Sequence, residues 1–368
     1  MKTVMYKYSI HLAIAVLLLL GTVAGCAAPA AEEEQPSEAA PAAEEEQPSV
    51  AAPEQEVINI NFGTFWGGGH CQEVADLFTA WTEEASGGRL QFTVMPGDTA
   101  VPVDEHLDAL ADGVFDLNYM AEEYYQKEIP AFNILNGIPG MLASVEDGPR
   151  LARLGGWDDL RDRLYAEKNA VHVGTRPIGA DAIISTVPLP SIDDVAGMKL
   201  RSTGLNAEVF TALGASTVFT PQDEVYVSLS SGLVDAAESG NAISQYGMGF
   251  HEVAKYWIQP NLTNCGMGLN LGANMDFWQS LSAADQALIE RTFVYVGHVL
   301  NDDTMYKTGA VLTEVQEQHG VTVIYWGSDD LKKWADAYLE IMPKYPDDPY
   351  WAEGWSLIQD YAKVMGYA

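Results

Sequence analysis

At 368 residues and a formal net charge of −33, the chain is long enough for two globular lobes and strongly acidic. Setting aside the two lysines and nine glutamates of the first 56 residues leaves −26 over Val57–Ala368, which argues against nucleic acid or anionic lipid as a partner. A small anionic ligand is not excluded, because local donors decide that, and three cysteines with no CxxC or Cys/His cluster give no zinc pattern.

The front end reads as a processing signal. Lys2 and Lys7 precede an apolar run, Ile10 to Val23, that is too short and too close to the terminus for an ordinary membrane span. It ends in Val23-Ala24-Gly25-Cys26, which resembles the lipobox of bacterial lipoproteins. That resemblance implies a signal peptide over 1–26, diacylation of the Cys26 sulfur, and an exported protein anchored by its lipid in the periplasm or on the outer face of the cell membrane. An ordinary secretory signal is the alternative, and it too exports the chain. Residues 27–56 repeat the block AAPAAEEEQPS in slightly shortened form and hold no large apolar residue, so they are expected to be a disordered, self-repelling tether. Cys71 and Cys265 remain, either as one disulfide or as two buried thiols.

In the globular part, Val57 to Phe62 alternates as a strand and runs into the glycine-rich loop Gly63 to Gly69. That loop lacks GxxxxGK[ST] and GxGxxG spacing, so Phe65 and Trp66 fit better as an aromatic wall beside a small ligand than as part of a phosphate cradle. A helix carrying Val74, Leu77, Phe78 and Trp81 follows, then a strand through Leu90, Phe92 and Val94, a helix over Glu105 to Asp112 and a strand over Asp116 to Met120. This βαβαβ order predicts a parallel or mixed α/β sheet with a crevice at the strand C-terminal ends. Helices are expected over Val145 to Leu154 and Trp157 to Glu167, and β-rich sequence over Ala170 to Val173. A second series then runs from Met198: strands to Arg201, over Ser216 to Thr220, over Val234 to Ala237 and over Gly266 to Leu271, with helices over Asn206 to Leu213 and Val225 to Ser231. Ser282 to His319 holds helical spacing for about 35 residues, roughly 50 Å, longer than one lobe is wide. A strand over Val321 to Tyr325 and helices over Asp329 to Met342 and Pro349 to Met365 close the chain.

Two arginines draw attention in a chain poor in basic residues. Arg176 follows the Ala170 to Val173 segment, and Arg201 ends a short strand just before a helix. A guanidinium at a strand end beside a helix N-terminus suits a carboxylate, which it grips with parallel N–H donors. Surface ion pairing is the bland alternative for both. His70 and Glu73, as HxxE, read as a solvated helix start, and Glu122 and Glu123 point to different faces. No Ser/His/Asp set occurs in a catalytic context, so an enzyme acting on a small acid has little support.

Ser86-Gly87-Gly88-Arg89-Leu90 through Pro96-Gly97, Ile192-Asp193-Asp194-Val195-Ala196-Gly197-Met198-Lys199-Leu200-Arg201, Leu213-Gly214-Ala215, Glu224-Val225-Tyr226, Leu229 to Ala237 and Phe277-Trp278-Gln279-Ser280-Leu281 follow one another in an order that resembles a known family. It is the extracytoplasmic solute receptors of tripartite ATP-independent periplasmic (TRAP) transporters, the DctP-like family. The resemblance covers nearly all of Val57–Ala368. It implies a two-lobe periplasmic-binding-protein-like α/β fold, mixed sheets flanked by helices, with a long helix spanning both lobes. Lobe 1 is expected over about 57–175 with part of 265–320, and lobe 2 over about 176–264 with the C-terminal helices.

By the same resemblance Arg201 clamps a ligand carboxylate and Arg176 also faces the ligand. Glu238 and Asn241 stand at the cleft, and Tyr124, with Trp66, supplies aromatic contact. The partners implied are a small carboxylate and the small and large integral membrane subunits. No cofactor is implied apart from a Na⁺ or Ca²⁺ ion that some 2-oxo and hydroxy acid receptors hold beside the carboxylate, for which Glu238 is the candidate ligand. The chain departs from those receptors at Ser239, where they tend to have a large aromatic, and at Arg176, where they often have glutamine. Arginine cannot coordinate a cation, which puts the metal in doubt and makes room for a second anionic group. A ligand-sensing partner of a membrane signalling protein would use the same fold.

Overall fold

Two sheets organise the globular part, and their strands bring the chemistry to one place. The computed structural model describes residues 56–135, 142, 144–261, 268–342, 345 and 347–367. Cys26, the tether up to residue 55 and Cys265 fall outside the described residues, and with them the expectations for the lipid, the tether and a Cys71–Cys265 pairing. Residues Gln55–Ala368 form one compact unit.

The strands in chain order are β1 (Ile58–Thr64), β2 (Leu90–Pro96), β3 (Leu117–Met120), β4 (Ala170–Pro177), β5 (Ile183–Ser185), β6 (Lys199–Arg201), β7 (Ser216–Val218), β8 (Ala236–Glu238), β9 (Tyr256–Gln259), β10 (Gly268–Asn274) and β11 (Thr322–Tyr325). The first sheet has the order β2-β1-β3-β10-β4 and the second β11-β9-β5-β8-β6-β7. Both are mixed. β10 runs antiparallel to β3 and β4, and β5 antiparallel to β8 and β9, while the remaining pairs are parallel.

Each sheet owes its place to alternating or continuous apolar residues that helices cover on the faces. Ile60, Phe62, Leu117 and Leu271 are fully buried under Val74, Phe78 and Phe293, and Phe78 meets Phe62 and Phe293 edge-to-face at 5.3 and 5.8 Å. In the second sheet Ile184, Ala237 and Trp257 are fully buried with Val225 and Val315. The helix Ala283–His319, 37 residues and about 55 Å long, packs on β4 and the helix Gly69–Ala85 beside the first sheet. Farther along it packs on the helix Ala242–Gly247 and β11 beside the second, so it spans both. Ser282 caps its N-terminus by accepting from the Asp285 N–H, and Gly320, at φ 66°, closes its C-terminus.

The C-terminal helices divide. Ser328–Ile341 packs on Gly204–Ala212, whereas Pro349–Met365 packs on Asp147–Gly155 and Trp157–Ala166.

β4 runs further than the sequence suggested. It continues to Pro177, so Arg176 lies inside it rather than after it, because β10 carries the ladder on with Leu269 opposite Arg176 and Gly268 opposite Pro177. β5, β9 and the helix Ala242–Gly247 were not anticipated. Strands of three and four residues are too short for a period-two pattern to stand out.

Candidate functional site

A cavity of about 70 Å³ opens where strand C-terminal ends of the two sheets meet. Phe65 and Trp66 reach it from the end of β1, Glu123 and Tyr124 from the end of β3, and Arg176 and Ile178 from the end of β4. From the second sheet come Arg201 and Thr203 after β6, Gln222 after β7 and Gly240 after β8. This is the strand-end crevice expected of α/β sheets.

The glycine-rich loop shapes one wall. The Thr64 hydroxyl donates to the Trp66 carbonyl at 2.9 Å, and the Trp66 ring lies so close to the following backbone that a Cβ on Gly69 would stand 2.8 Å from it. Gly69 also has φ +48°, so glycine is needed there twice over. Tyr119 and Tyr124 both face Phe65 edge-on, at 5.2 and 6.3 Å. Phe219, from beyond β7, meets Tyr124 edge-on at 5.5 Å, which bridges the two sheets at the cavity lip.

Arg201 is 2 % exposed. Its Nε donates to the Thr220 carbonyl at 3.0 Å and its Nη1 to the Glu238 carbonyl at 2.7 Å. Arg176 is 1 % exposed. Its Nε donates to the Tyr119 hydroxyl at 2.6 Å and its Nη1 to the Pro177 carbonyl at 3.1 Å, and Nη1 lies 3.4 Å from His70 Nε2. Each guanidinium is thus oriented by neutral acceptors. Among the described residues no carboxylate oxygen lies within 4.0 Å of either one, in contrast to Arg89, Arg150, Arg161 and Arg163, which are all paired.

Burial dominates the titration of the surrounding groups. It lowers His70 below the usual imidazole range, with Arg176 adding to the effect, and it pushes the Cys71 thiol up to about 12. Tyr119 and Tyr124 are raised by burial against the opposing pull of Arg176 and Arg201, so both stay phenols.

Of the residues singled out from sequence, Arg201, Arg176, Trp66 and Tyr124 converge on the cavity. Glu238 and Asn241 do not line it. The Glu238 carboxylate accepts from the Ser202 hydroxyl at 2.9 Å and from the Asn206 amide at 3.4 Å. Asn241 caps the helix Ala242–Gly247, accepting from the Ile243 and Ser244 N–H groups at 3.1 Å each. Among the described residues no group of three or more His, Cys, Asp or Glu is arranged to hold a metal ion.

Sequence reasoning missed Tyr119, Asp181 and Gln222, and read His70 as solvated, whereas its side chain is 9 % exposed and lines the cavity. Gln222 donates to the Ser239 hydroxyl at 2.6 Å, so the small residue at 239 seats an amide that faces the cavity. Glu122 and Glu123 do part company: Glu122 is buried against Arg161 and Tyr165, and Glu123 lines the cavity.

Known proteins resemble this chain throughout its globular part. The profile of the bacterial extracellular solute-binding protein family 7 (DctP) matches residues 62–348. A monocarboxylate 2-oxoacid-binding periplasmic protein from Nostoc sp. is 24 % identical over 256 residues, 69 % of this chain and 68 % of that protein. A TRAP transporter solute-binding protein from Bordetella bronchiseptica, solved with copurified calcium and picolinate, superposes with a TM-score of 0.76 at 18 % identity, over 84 % of this chain and 93 % of that one. One from Pseudoalteromonas atlantica, with bound sodium and pyruvate, gives 0.75 at 18 % identity, over 84 % and 95 %. These structures share the two-sheet fold. With its profile match covering most of the globular part, the chain belongs to the DctP family, family 7 of the bacterial extracellular solute-binding proteins.

Proposed function

We propose that this receptor captures a small organic acid by its carboxylate, through Arg201 and Arg176, and delivers it to the small and large membrane subunits of a TRAP transporter. One observation carries the reading: two buried guanidiniums line one cavity, and neither has a carboxylate partner among the described residues. Glu123 and Asp181 line the same cavity without pairing to either guanidinium within 4.0 Å, and an incoming carboxylate adds charge-assisted hydrogen bonds to the guanidiniums directly.

One Nε–H and one Nη1–H of each arginine are held by protein acceptors, and Tyr124 also meets Arg201, so the remaining Nη N–H groups are what each guanidinium offers the ligand. Phe65, Trp66 and Tyr124 wall the carbon skeleton. A cavity of about 70 Å³ is several times the ~10–15 Å³ that one water needs, which suits a ligand of a few heavy atoms. The 2-oxo acid of the Nostoc relative and the pyruvate of the Pseudoalteromonas protein support an acid of that size.

Lobe 1 gathers around the first sheet and lobe 2 around the second. Closure brings Arg201 and Phe219 of lobe 2 onto Arg176 and Tyr124 of lobe 1. The closed shape is what the membrane subunits recognise. The protein works after export, tethered by lipid on Cys26. Sodium or calcium accompanies the ligand in some relatives, but the Glu238 carboxylate is committed elsewhere, so capture here runs through the guanidiniums.

The test is a thermal-shift and calorimetric screen of carboxylic acids on wild type and Arg201→Ala, with and without Na⁺, Ca²⁺ and chelator. An acid that stabilises wild type and fails to stabilise the variant supports the reading. Equal shifts in the two proteins would overturn it.

A further inference from the structure

We infer that Gly297, midway along the helix Ala283–His319, is the positioning residue that seats Arg176 in the cavity. Glycine weakens a helix interior relative to alanine, so a buried glycine in the middle of a 37-residue helix calls for a packing reason. The reason is Arg176. A Cβ on Gly297 would stand 2.3 Å from the Arg176 Cβ and 3.1 Å from both its Cγ and its Cδ. Ordinary carbon contacts lie at about 3.5–4.0 Å.

The missing side chain is therefore a notch, and the aliphatic arm of Arg176 lies in it. The arm cannot swing clear, because its Cβ is carried by β4, whose ladder pairs Arg176 with Leu269. Where the arm lies decides where the guanidinium points, with Nε on the Tyr119 hydroxyl at 2.6 Å and Nη1 on the Pro177 carbonyl at 3.1 Å. Gly309, on the same helix, has nothing within 4 Å of its virtual Cβ, so the notch belongs to position 297 and not to glycine in this helix as such.

The experiment compares Gly297→Ala with Gly309→Ala in two readouts. One is the side-chain Nε–H resonance of Arg176 in protein labelled with 15N-arginine, assigned by its loss in Arg176→Lys among eight arginines. The other is the dissociation constant for pyruvate and for malonate. Gly297→Ala is expected to shift the Nε–H resonance and to speed its solvent exchange about tenfold or more as the Tyr119 hydrogen bond opens. It is also expected to weaken binding of either acid by about tenfold or more, 1.4 kcal/mol. Gly309→Ala is expected to change neither.

The affinity readout rests on the function proposed above, and the resonance readout does not. If wild type binds neither acid, the resonance alone decides. An Arg176 resonance unmoved by Gly297→Ala overturns the inference, even where Arg201→Ala still abolishes binding. Should Gly297→Ala fail to fold, adding Arg176→Gly removes the arm and is expected to restore folded protein. Failure to restore it overturns the inference as well.

Discussion

The Nε–H of Arg176 donates to the hydroxyl of Tyr119 at 2.6 Å, and the guanidinium carbon stands 5.2 Å from the centre of the same ring. One tyrosine thus supplies both an acceptor and a π face to a buried cation that has no carboxylate beside it among the described residues. The arrangement fixes where the guanidinium points, which is what the proposed carboxylate capture requires.

Tyr119→Phe keeps the ring and removes the acceptor. The buried Nε–H then has no partner, which is expected to lower stability by about 1–3 kcal/mol and to weaken carboxylate binding. Urea unfolding followed by circular dichroism measures the first effect, and calorimetry with pyruvate the second. An unchanged urea midpoint would contradict the role assigned to the hydroxyl.

Glu122 anchors the turn that presents Glu123 and Tyr124. Both of its oxygens accept from Arg161 Nε at 3.1 Å, and Oε1 also accepts from the Tyr165 hydroxyl at 2.9 Å, all of it buried. Glu122→Ala leaves the Arg161 charge buried without its partner and is expected to cost about 3–5 kcal/mol. The Tyr124 wall should loosen with it, so binding is expected to weaken even though Glu122 does not line the cavity. Full stability in the variant would show that the pair does not hold the turn.

Phe219 is half-exposed, yet it makes an edge-to-face contact with Tyr124 from the other sheet. Such ring pairs contribute about 0.5–1.5 kcal/mol. Phe219→Ala is expected to leave the melting temperature within a degree or so, because little core is lost, and to raise the ligand dissociation rate roughly two- to tenfold. Stopped-flow release of a bound carboxylate reads this directly, and an unchanged rate would remove Phe219 from the closed state.

Acid should weaken the fold through its buried histidines. Burial brings His172 down to about 3 and lowers His70 and His106 below the usual 6.5. In each the folded state keeps the neutral ring, so the unfolded chain takes up the proton first as pH falls through 6.5. The stability these groups contribute is fully present above that value and is lost progressively below it, at about 1.4 kcal/mol per pH unit for each group while the folded ring stays neutral. His172 has its Nε2 3.2 Å from Asn270 Oδ1 and 3.1 Å from the Thr175 hydroxyl. His172→Gln keeps a donor there and removes the titration. Its urea midpoint is expected to fall less steeply than that of wild type between pH 7 and pH 5, and parallel curves would contradict the assignment.

The sequence by itself determined the element order, because the burial that forms helices and strands repeats at short intervals along the chain. Val74, Phe78 and Trp81 mark one helix face, and Ile58, Ile60 and Phe62 one strand face. The terminal helix Pro349–Met365 and the 37-residue helix were legible to within a residue for the same reason. So was Arg201, whose Lys199-Leu200-Arg201 signature is contiguous. β5 and β9 were not, being too short to carry a period.

Only the tertiary structure decided which side chains share the cavity. Tyr119 and Arg176 are 57 residues apart, and no local pattern ties a phenol on one strand to a guanidinium on another. Glu238 reads as a cleft residue in the chain, and its hydrogen bonds from Ser202 and Asn206, 36 and 32 residues away, appear only in the fold. His70 looked solvated until Arg176 was packed against it. Nothing in the local pattern explains Gly297 in mid-helix, and only the packing of that helix on β4 brings it against the Arg176 side chain. Periodicity is a property of neighbours in the chain, whereas convergence of charge, ring and notch depends on how the sheets and the long helix pack.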